Sequence, residues 1–418
     1  MNSRTAAQNS SPVRSVEGIP IVQRPGVQPV LAVLACASIL FTAGCSSGDD
    51  GPSDSRHSAS PGSSEPGASA SGGAGGGNAP AEGSVKVVRT VAEGLNSPWG
   101  LAPLPGGGGL LVSSRDEATI TRVDTQTGKK TAVGTVPGVV PGGEGGLLGL
   151  ALSPSFASDH WLYAYFTAKS DNRIVRMRYD AKKPPGDQLG APETVFTGIP
   201  KGSNHNGGRI AFGPDKLLYV GTGETYVKKY AQDKKSPGGK ILRMTPDGKP
   251  APGNPFGDSV VYTYGHRNVQ GLAWDKDKRL WASEFGQDTW DELNLIVPGD
   301  NYGWPDVEGK SGNSGFHDPV AVWHTSEASP SGIAYAEGSV WMAGLRGERL
   351  WRIPLKGAQV AAEPQSFLID DATEQGKYGR LRTVVAAGGN KLWLTTSNTD
   401  SRGTPRKGDD RILELEVS

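Results

Sequence analysis

An all-β, six-bladed β-propeller is the fold this sequence predicts, and three observations carry that expectation. The 418 residues include 60 glycines and 31 prolines, more punctuation than long helices tolerate. Almost no segment places apolar residues at i, i+3, i+4 and i+7, the spacing an amphipathic helix needs. From residue 84 onward, a unit of several short strands recurs roughly every fifty to sixty residues, the period of a propeller blade.

The chain opens outside that repeat. Arg4, Arg14 and Arg24 precede "PVLAVLACASILFTAGC", a short apolar core ending in small residues. That is the pattern of a secretion signal, too short for a convincing membrane span. Its tail "TAGC" resembles the lipobox of bacterial lipoproteins, although Thr42 stands where leucine is commonest. Residues 1–45 are therefore expected to be a signal whose Cys45 becomes lipidated. The protein would then sit outside the cell, lipid-anchored to the outer face of the bacterial cytoplasmic membrane. Cys36 would leave with the signal, so the domain keeps no thiol and can use neither Cys-ligated zinc nor a cysteine nucleophile. Residues 46–83 are rich in Ser, Gly and Pro and carry almost no apolar content. Such a segment cannot bury enough surface to fold and reads as a tether. Residues 84–418 are expected to form the six-bladed propeller domain. With 43 basic and 43 acidic residues in balance and no basic block, nothing suggests nucleic acid or a polybasic membrane patch as partner.

Each blade shows a Gly-apolar strand, a turn, a stronger aromatic strand and then an alternating strand. The first two recur as "WGLAPLPGGGGLLVSS", "LGLALSPSFASDHWLYAYF", "GRIAFGPDKLLYVGTG", "QGLAWDKDKRLWASEF", "SGIAYAEGSVWMAGL" and "RTVVAAGGNKLWLTTS". The third recurs as "TITRVD", "RIVRMRYD", "KILRMTP", "DELNLIV", "RLWRIPL" and "RILELEV". The last repeat lacks a fourth strand, while "KVVRTVAEGL" at 86–95 stands unpaired at the start. Placing it in the last blade closes the ring and removes exposed sheet edges.

Loops that precede the first strand of each blade must fall on one face. They carry Glu144, His205, Arg267, Asn268, Gln270, Arg380 and Arg382. His205 lies in "GSNHNGG", a turn-forming stretch just before a β-hairpin built around Gly-Pro-Asp. A rigid scaffold displays functional groups on such loops.

Three stretches go further: "YTYGHRNVQGLAW" (262–274), "ASEFGQDTWDELNLIVPGDNYGWP" (282–305) and "NHNGGRIAFGPDKLLYVGTGE" (204–224). They resemble the soluble quinoprotein sugar dehydrogenases, which use pyrroloquinoline quinone (PQQ) and calcium. "GEGGLLGLALSPSF" (143–156) and "RLWRIPL" (349–355) extend the resemblance over the domain. It implies oxidation of the anomeric carbon of aldoses to lactones, with electrons passed on to an external acceptor. In the family a histidine takes the anomeric hydroxyl proton while hydride passes to the quinone, and His205 matches it. Imidazole suits a general base, and Glu224 matches the acid that orients it. Arg267 matches the cation beside the quinone oxygen where charge develops. Asn268, Arg346, Arg380 and Arg382 match cofactor contacts, guanidinium groups being apt partners for the three PQQ carboxylates.

The resemblance also assigns calcium to the backbone carbonyls of Gly286 and Gln287, and a second calcium to Asp291 and Glu292, which could equally be solvated turn carboxylates. Phe285 replaces a polar cofactor contact. Glu144 stands where glucose dehydrogenase has a sugar-contacting glutamine, so an open, tolerant aldose site is expected rather than a glucose-specific one. Two other readings compete. A calcium-dependent propeller lactonase rests on fold alone, since neither a metal-spaced histidine cluster nor a G-x-S-x-G elbow is present. A non-catalytic binding propeller would lack the base or the arginines.

Overall fold

Alternating, Gly-punctuated strands pair here as their pattern requires. The computed structural model describes residues 79–418; the signal, Cys45 and the linker as far as residue 78 lie outside the described residues. Six sheets follow one another along the chain. The first blade takes its strands from residues 98–135, the second from 147–199 and the third from 210–264. The fourth spans 269–324 and the fifth 330–367. Strands at Leu381–Gly388, Lys391–Thr396 and Ile412–Val417 form the sixth, and the first strand of the described residues, Val85–Ala92, completes it. That strand runs antiparallel to Ile412–Val417, from Val85 opposite Val417 to Ala92 opposite Ile412. The expected closure of the ring is thus present, and with it a blade made from both ends of the chain.

Arg352 fastens the two ends further. Its fully buried guanidinium donates to the carbonyls of Pro80 at 2.9 Å, Ala81 at 3.2 Å and Ser418 at 3.1 Å. The packed chain therefore reaches back into the segment read as linker. Helix is confined, among the described residues, to two four-residue turns at Phe156–Asp159 and Lys229–Gln232.

The inner strands pack almost backbone to backbone, which explains why glycine recurs at that position. A Cβ on Gly100 would lie 2.6 Å from the Leu148 carbonyl oxygen in the next blade, and one on Gly332 only 2.9 Å from Cα of Thr383. Hydroxyl groups stitch the ring where side chains fit: Ser113 Oγ donates to Leu148 O at 2.6 Å and Thr383 Oγ1 to Trp99 O at 2.6 Å. Apolar side chains fill the space between blades, with Trp281 and Trp341 fully buried. On the channel axis Arg209 is buried, stacked 4.4 Å from the Trp99 ring, and donates to Gln270 O at 2.8 Å and Thr383 Oγ1 at 3.0 Å. Burial, then the nearby Arg382, pushes this guanidinium down to about 9.

Antiparallel order has one consequence for the site. The loop entering the first strand of a blade and the loop joining its second and third strands lie at the same end. Both sets converge on one mouth of the channel. Because the ring leaves no room at its inner strands, Gly100→Ala is expected to lower stability by roughly 1–3 kcal/mol through overpacking. Denaturant unfolding of the domain measures this, and a midpoint equal to that of the wild type would contradict the packing described.

Candidate active site

The mouth opens into a cavity of about 580 Å³. His205, Glu144, Arg267, Gln270, Arg380 and Arg382 line it from the entering loops, as the sequence predicts. Arg115, Tyr226, Phe285, Gly286, Gln287, Arg346 and Arg402 line it from the loops between second and third strands.

His205 is built into its place. Its backbone is left-handed at φ 54°, a conformation histidine adopts more readily than most residues. Its N–H donates to Glu144 Oε2 at 2.9 Å, and Asn206 folds back on Gly202 through two bonds of 3.0 and 2.9 Å. The ring is buried, and Nδ1 lies 2.6 Å from Glu224 Oε1. With Nδ1–H donated to the carboxylate, Nε2 is the nitrogen left with a lone pair for a ligand in the cavity. Glu224 is also buried, and its second oxygen has no protein partner.

Glu224 reaches the next blade as well. Its backbone N–H donates to Arg267 O at 2.9 Å, so the His205 loop and the Arg267 loop are linked through Glu224. Arg267 is held from behind by Glu284, which accepts its N–H and also bonds His266 Nδ1 at 2.7 Å. His266 is fully buried, bonds Thr263 Oγ1 at 2.8 Å and stacks on Tyr302. In the "GHRN" string the histidine is thus an anchor and the arginine the displayed group. Arg267 Nη1 donates to Phe285 O at 3.2 Å, whereas its buried Nε has no protein partner.

Asn268 departs from the expected cofactor contact. It does not line the cavity; its Oδ1 accepts from Gly207 N–H at 3.0 Å and it braces the His205 loop from below. Its buried Nδ2 is left without a partner. Glu144 departs too. It lines the cavity, but its oxygens accept from Asn204 Nδ2 at 2.8 Å, His205 N–H and Arg402 Nη2 at 3.0 Å. It holds the His205 loop instead of offering substrate a free anion.

Arg380 and Arg382 share one carboxylate that sequence reading missed. Asp400 Oδ2 accepts from Nη2 of each at 3.1 Å. Burial pushes the Asp400 carboxyl up, but Arg382 and Arg380 together outweigh it and hold it at about 2. Burial, partly offset by Asp400, pushes Arg382 down to about 10. Arg346 makes no hydrogen bond or ion pair among the described residues and lines the cavity with its guanidinium free. Six arginines and two carboxylates line the cavity, a surplus of positive charge suited to a polyanionic ligand.

Asp291 and Glu292 do not share a site, because successive strand residues face opposite ways. Asp291 lines the main cavity and accepts from the N–H groups of Gly286 at 2.9 Å and Ser329 at 2.6 Å. Burial pushes it up to about 7 despite those bonds. Glu292 lines a small neighbouring void with Glu284 and Glu308. Burial, then Glu284, pushes it up to about 8. No group of three His, Cys, Asp or Glu side chains in metal-holding geometry occurs among the described residues. The second calcium assigned to this pair therefore finds no shared ligand set. The first fits better. Glu308 gathers the N–H groups of Gln287, Asp288, Thr289 and Trp290 at 2.8–3.1 Å. The carbonyls of Gly286 and Gln287 accept no hydrogen bond from the described residues. Two free main-chain oxygens beside Asp291 are ligands of the kind calcium takes.

Residues 95–404 match the family model described as glucose/sorbosone dehydrogenase. A solved PQQ-bound aldose sugar dehydrogenase from Streptomyces coelicolor is 76% identical, with a TM-score of 0.79, over 81% of this chain and 100% of that one. Quinoprotein glucose dehydrogenase B of Acinetobacter calcoaceticus is 32% identical over 60% of this chain and 59% of its own length, so this chain spans less than two thirds of that relative. Aldose sugar dehydrogenase YliI of Escherichia coli is 30% identical over 64% of this chain and 74% of its own.

The Asp400 cluster gives a measurable pH effect. A carboxyl held below its ordinary 3.8 adds stability above that value and loses it as pH falls toward about 2. Asp400→Asn is expected to cost roughly 2 kcal/mol at neutral pH. The gap to wild type should close as pH drops from about 4 to about 2. Urea midpoints across that range test this; a gap independent of pH would refute the assignment.

Proposed function

The chain belongs to the glucose/sorbosone dehydrogenase family, and from that membership we propose that it oxidises the anomeric carbon of aldose sugars with PQQ as cofactor and His205 as general base. The observation that carries this reading is the Glu224–His205 pair at 2.6 Å, opening into an arginine-lined cavity. The cavity's donor set suits PQQ. Arg346 is free, Arg380 and Arg382 keep donors beyond those given to Asp400, and Arg267 Nε is buried without a partner. An acidic, flat, oxygen-rich ligand supplies the acceptors such groups require.

Bound PQQ supplies the two-electron acceptor for the hydride leaving the anomeric carbon. Calcium on the Gly286 and Gln287 carbonyls would supply Lewis-acid polarisation. The chain's own work is proton handling and charge placement. His205 Nε2 accepts the proton of the anomeric hydroxyl, which frees the carbon–hydrogen bond to deliver hydride as the lactone carbonyl forms. Glu224 holds the ring in the tautomer that makes this possible and pairs with the imidazolium that results. Arg267 is fixed through Glu284 and His266, so it can meet developing negative charge without reorganising. The tolerant pocket expected from sequence rests on Glu144 being occupied within the protein, which leaves sugar hydroxyls to be recognised by Asn204, Gln287 and Arg402.

The test is reconstitution. Purified protein mixed with PQQ and calcium is expected to reduce an electron-accepting dye when an aldose is added, and to be inactive without PQQ. Sugar-lactone hydrolysis in the absence of PQQ, with no aldose-driven dye reduction in its presence, would overturn the reading. Arg380→Ala and Arg382→Ala should each raise the PQQ concentration for half-maximal activity by about tenfold, the scale of one charge-assisted contact. Saturating PQQ should recover much of the turnover. No recovery at saturation, in a variant that keeps its melting temperature, would remove these arginines from cofactor binding.

A further inference from the structure

We propose that Tyr226 is a specificity-determining residue, the platform on which the pyranose ring of the substrate stacks beside the base. The inference rests on the sugar-oxidising reading of this cavity and adds a binding residue that reading does not contain.

Large apolar side chains rarely stay exposed in this domain. Those that do are Val88, Val140, Tyr226 and Val227, and the last two are consecutive at the cavity mouth. Tyr226 lines the cavity while 58% exposed, with its ring centroid 4.1 Å from that of His205. Its hydroxyl makes no hydrogen bond to protein among the described residues. An aromatic ring that serves packing would be covered, and one that serves a polar network would use its hydroxyl. This ring touches His205 on one side, yet most of it stays exposed and its hydroxyl is unused.

The backbone shows that the placement is imposed. Thr225 and Tyr226 are both left-handed, at φ 56° and 63°, and two such residues in succession are uncommon outside glycine. Glu224 anchors one side through its N–H on Arg267 O at 2.9 Å and its carbonyl, which accepts Val227 N–H at 2.9 Å. On the other side Lys228 Nζ lies 4.8 Å from the centre of the Trp304 ring. The turn so held places the ring at the cavity mouth. It presents its ring beside the His205 imidazole.

A pyranose matches this surface. One face of its ring is lined with C–H groups and its edge carries hydroxyls. The face suits an aromatic ring, and the edge suits the polar fringe of Asn204, Gln287 and Arg402 that lines the same cavity. A small exposed apolar patch with a polar rim is the usual form of such a subsite.

Affinity for a sugar that cannot react separates the platform from the chemistry. The probe is 1,5-anhydroglucitol, a pyranose without an anomeric hydroxyl, titrated into the PQQ- and calcium-loaded protein by calorimetry. Tyr226→Ala is expected to weaken its binding about tenfold and to raise KM for aldopyranoses by a similar factor, more than it lowers kcat. Tyr226→Phe and Tyr226→Trp should stay within about threefold of wild type, because the ring face and not the hydroxyl is used. Binding lost in the alanine variant of a protein with no PQQ-dependent oxidation would uphold the platform and reject only the dehydrogenase reading. Equal affinity in wild type and Tyr226→Ala would overturn the proposal. So would unchanged affinity with a displaced pH profile of kcat, which would make Tyr226 a support for His205 alone.

Discussion

One carboxylate, Glu224, spans the two blades on which the proposed chemistry depends. Its side chain takes Nδ1 of His205 at 2.6 Å, and its backbone N–H takes the carbonyl of Arg267 at 2.9 Å. A catalytic base and an electrostatic partner are useful only when their separation is fixed before substrate arrives. Here the separation is set by a single residue buried at the end of a strand hairpin. Behind it, Glu284 and His266 hold Arg267; before it, Thr225 and Tyr226 inherit a strained turn that opens toward solvent.

Such precision needs a scaffold that does not breathe, and the ring supplies it. Inner strands meet at contacts too close for a Cβ, and the last blade is sewn shut by the strand Val85–Ala92. Arg352 ties the carbonyl of Pro80 to that of Ser418. Loops growing from such a ring can vary without disturbing its core.

Much of this was legible in the sequence. The repeating glycine marks the inner strand because close backbone approach permits nothing larger. The missing fourth strand of the last repeat is answered by the unpaired strand at 86–95. His205, Glu224 and Arg267 sit in stretches whose pattern is dense enough to place them together at the channel mouth. Asp400, Arg402 and Tyr226 were not legible. They lie in loops between second and third strands that differ in length from blade to blade, so no repeat position points to them. Asp400 in particular acts through two arginines some twenty residues earlier, a pairing made by the turn of the chain. Asp291 and Glu292 teach the opposite lesson. Adjacency suggested a shared ion, yet the alternation that marks "DELNLIV" as a strand sends the two carboxyls to different sides. Asn268 shows a limit of motif transfer, since its oxygen is spent on the Gly207 N–H.

The account stands or falls on the imidazole. The most direct measurement is single-turnover reduction of bound PQQ by an aldose, followed in wild type and in His205→Ala loaded with the same cofactor. Removal of a general base should slow that step by about 10²–10⁴-fold, while Glu224→Gln, which leaves the base but not its orienting charge, should fall between the two. If His205→Ala reduces the quinone as fast as wild type, the histidine is a loop cap and the mechanism built on it is wrong.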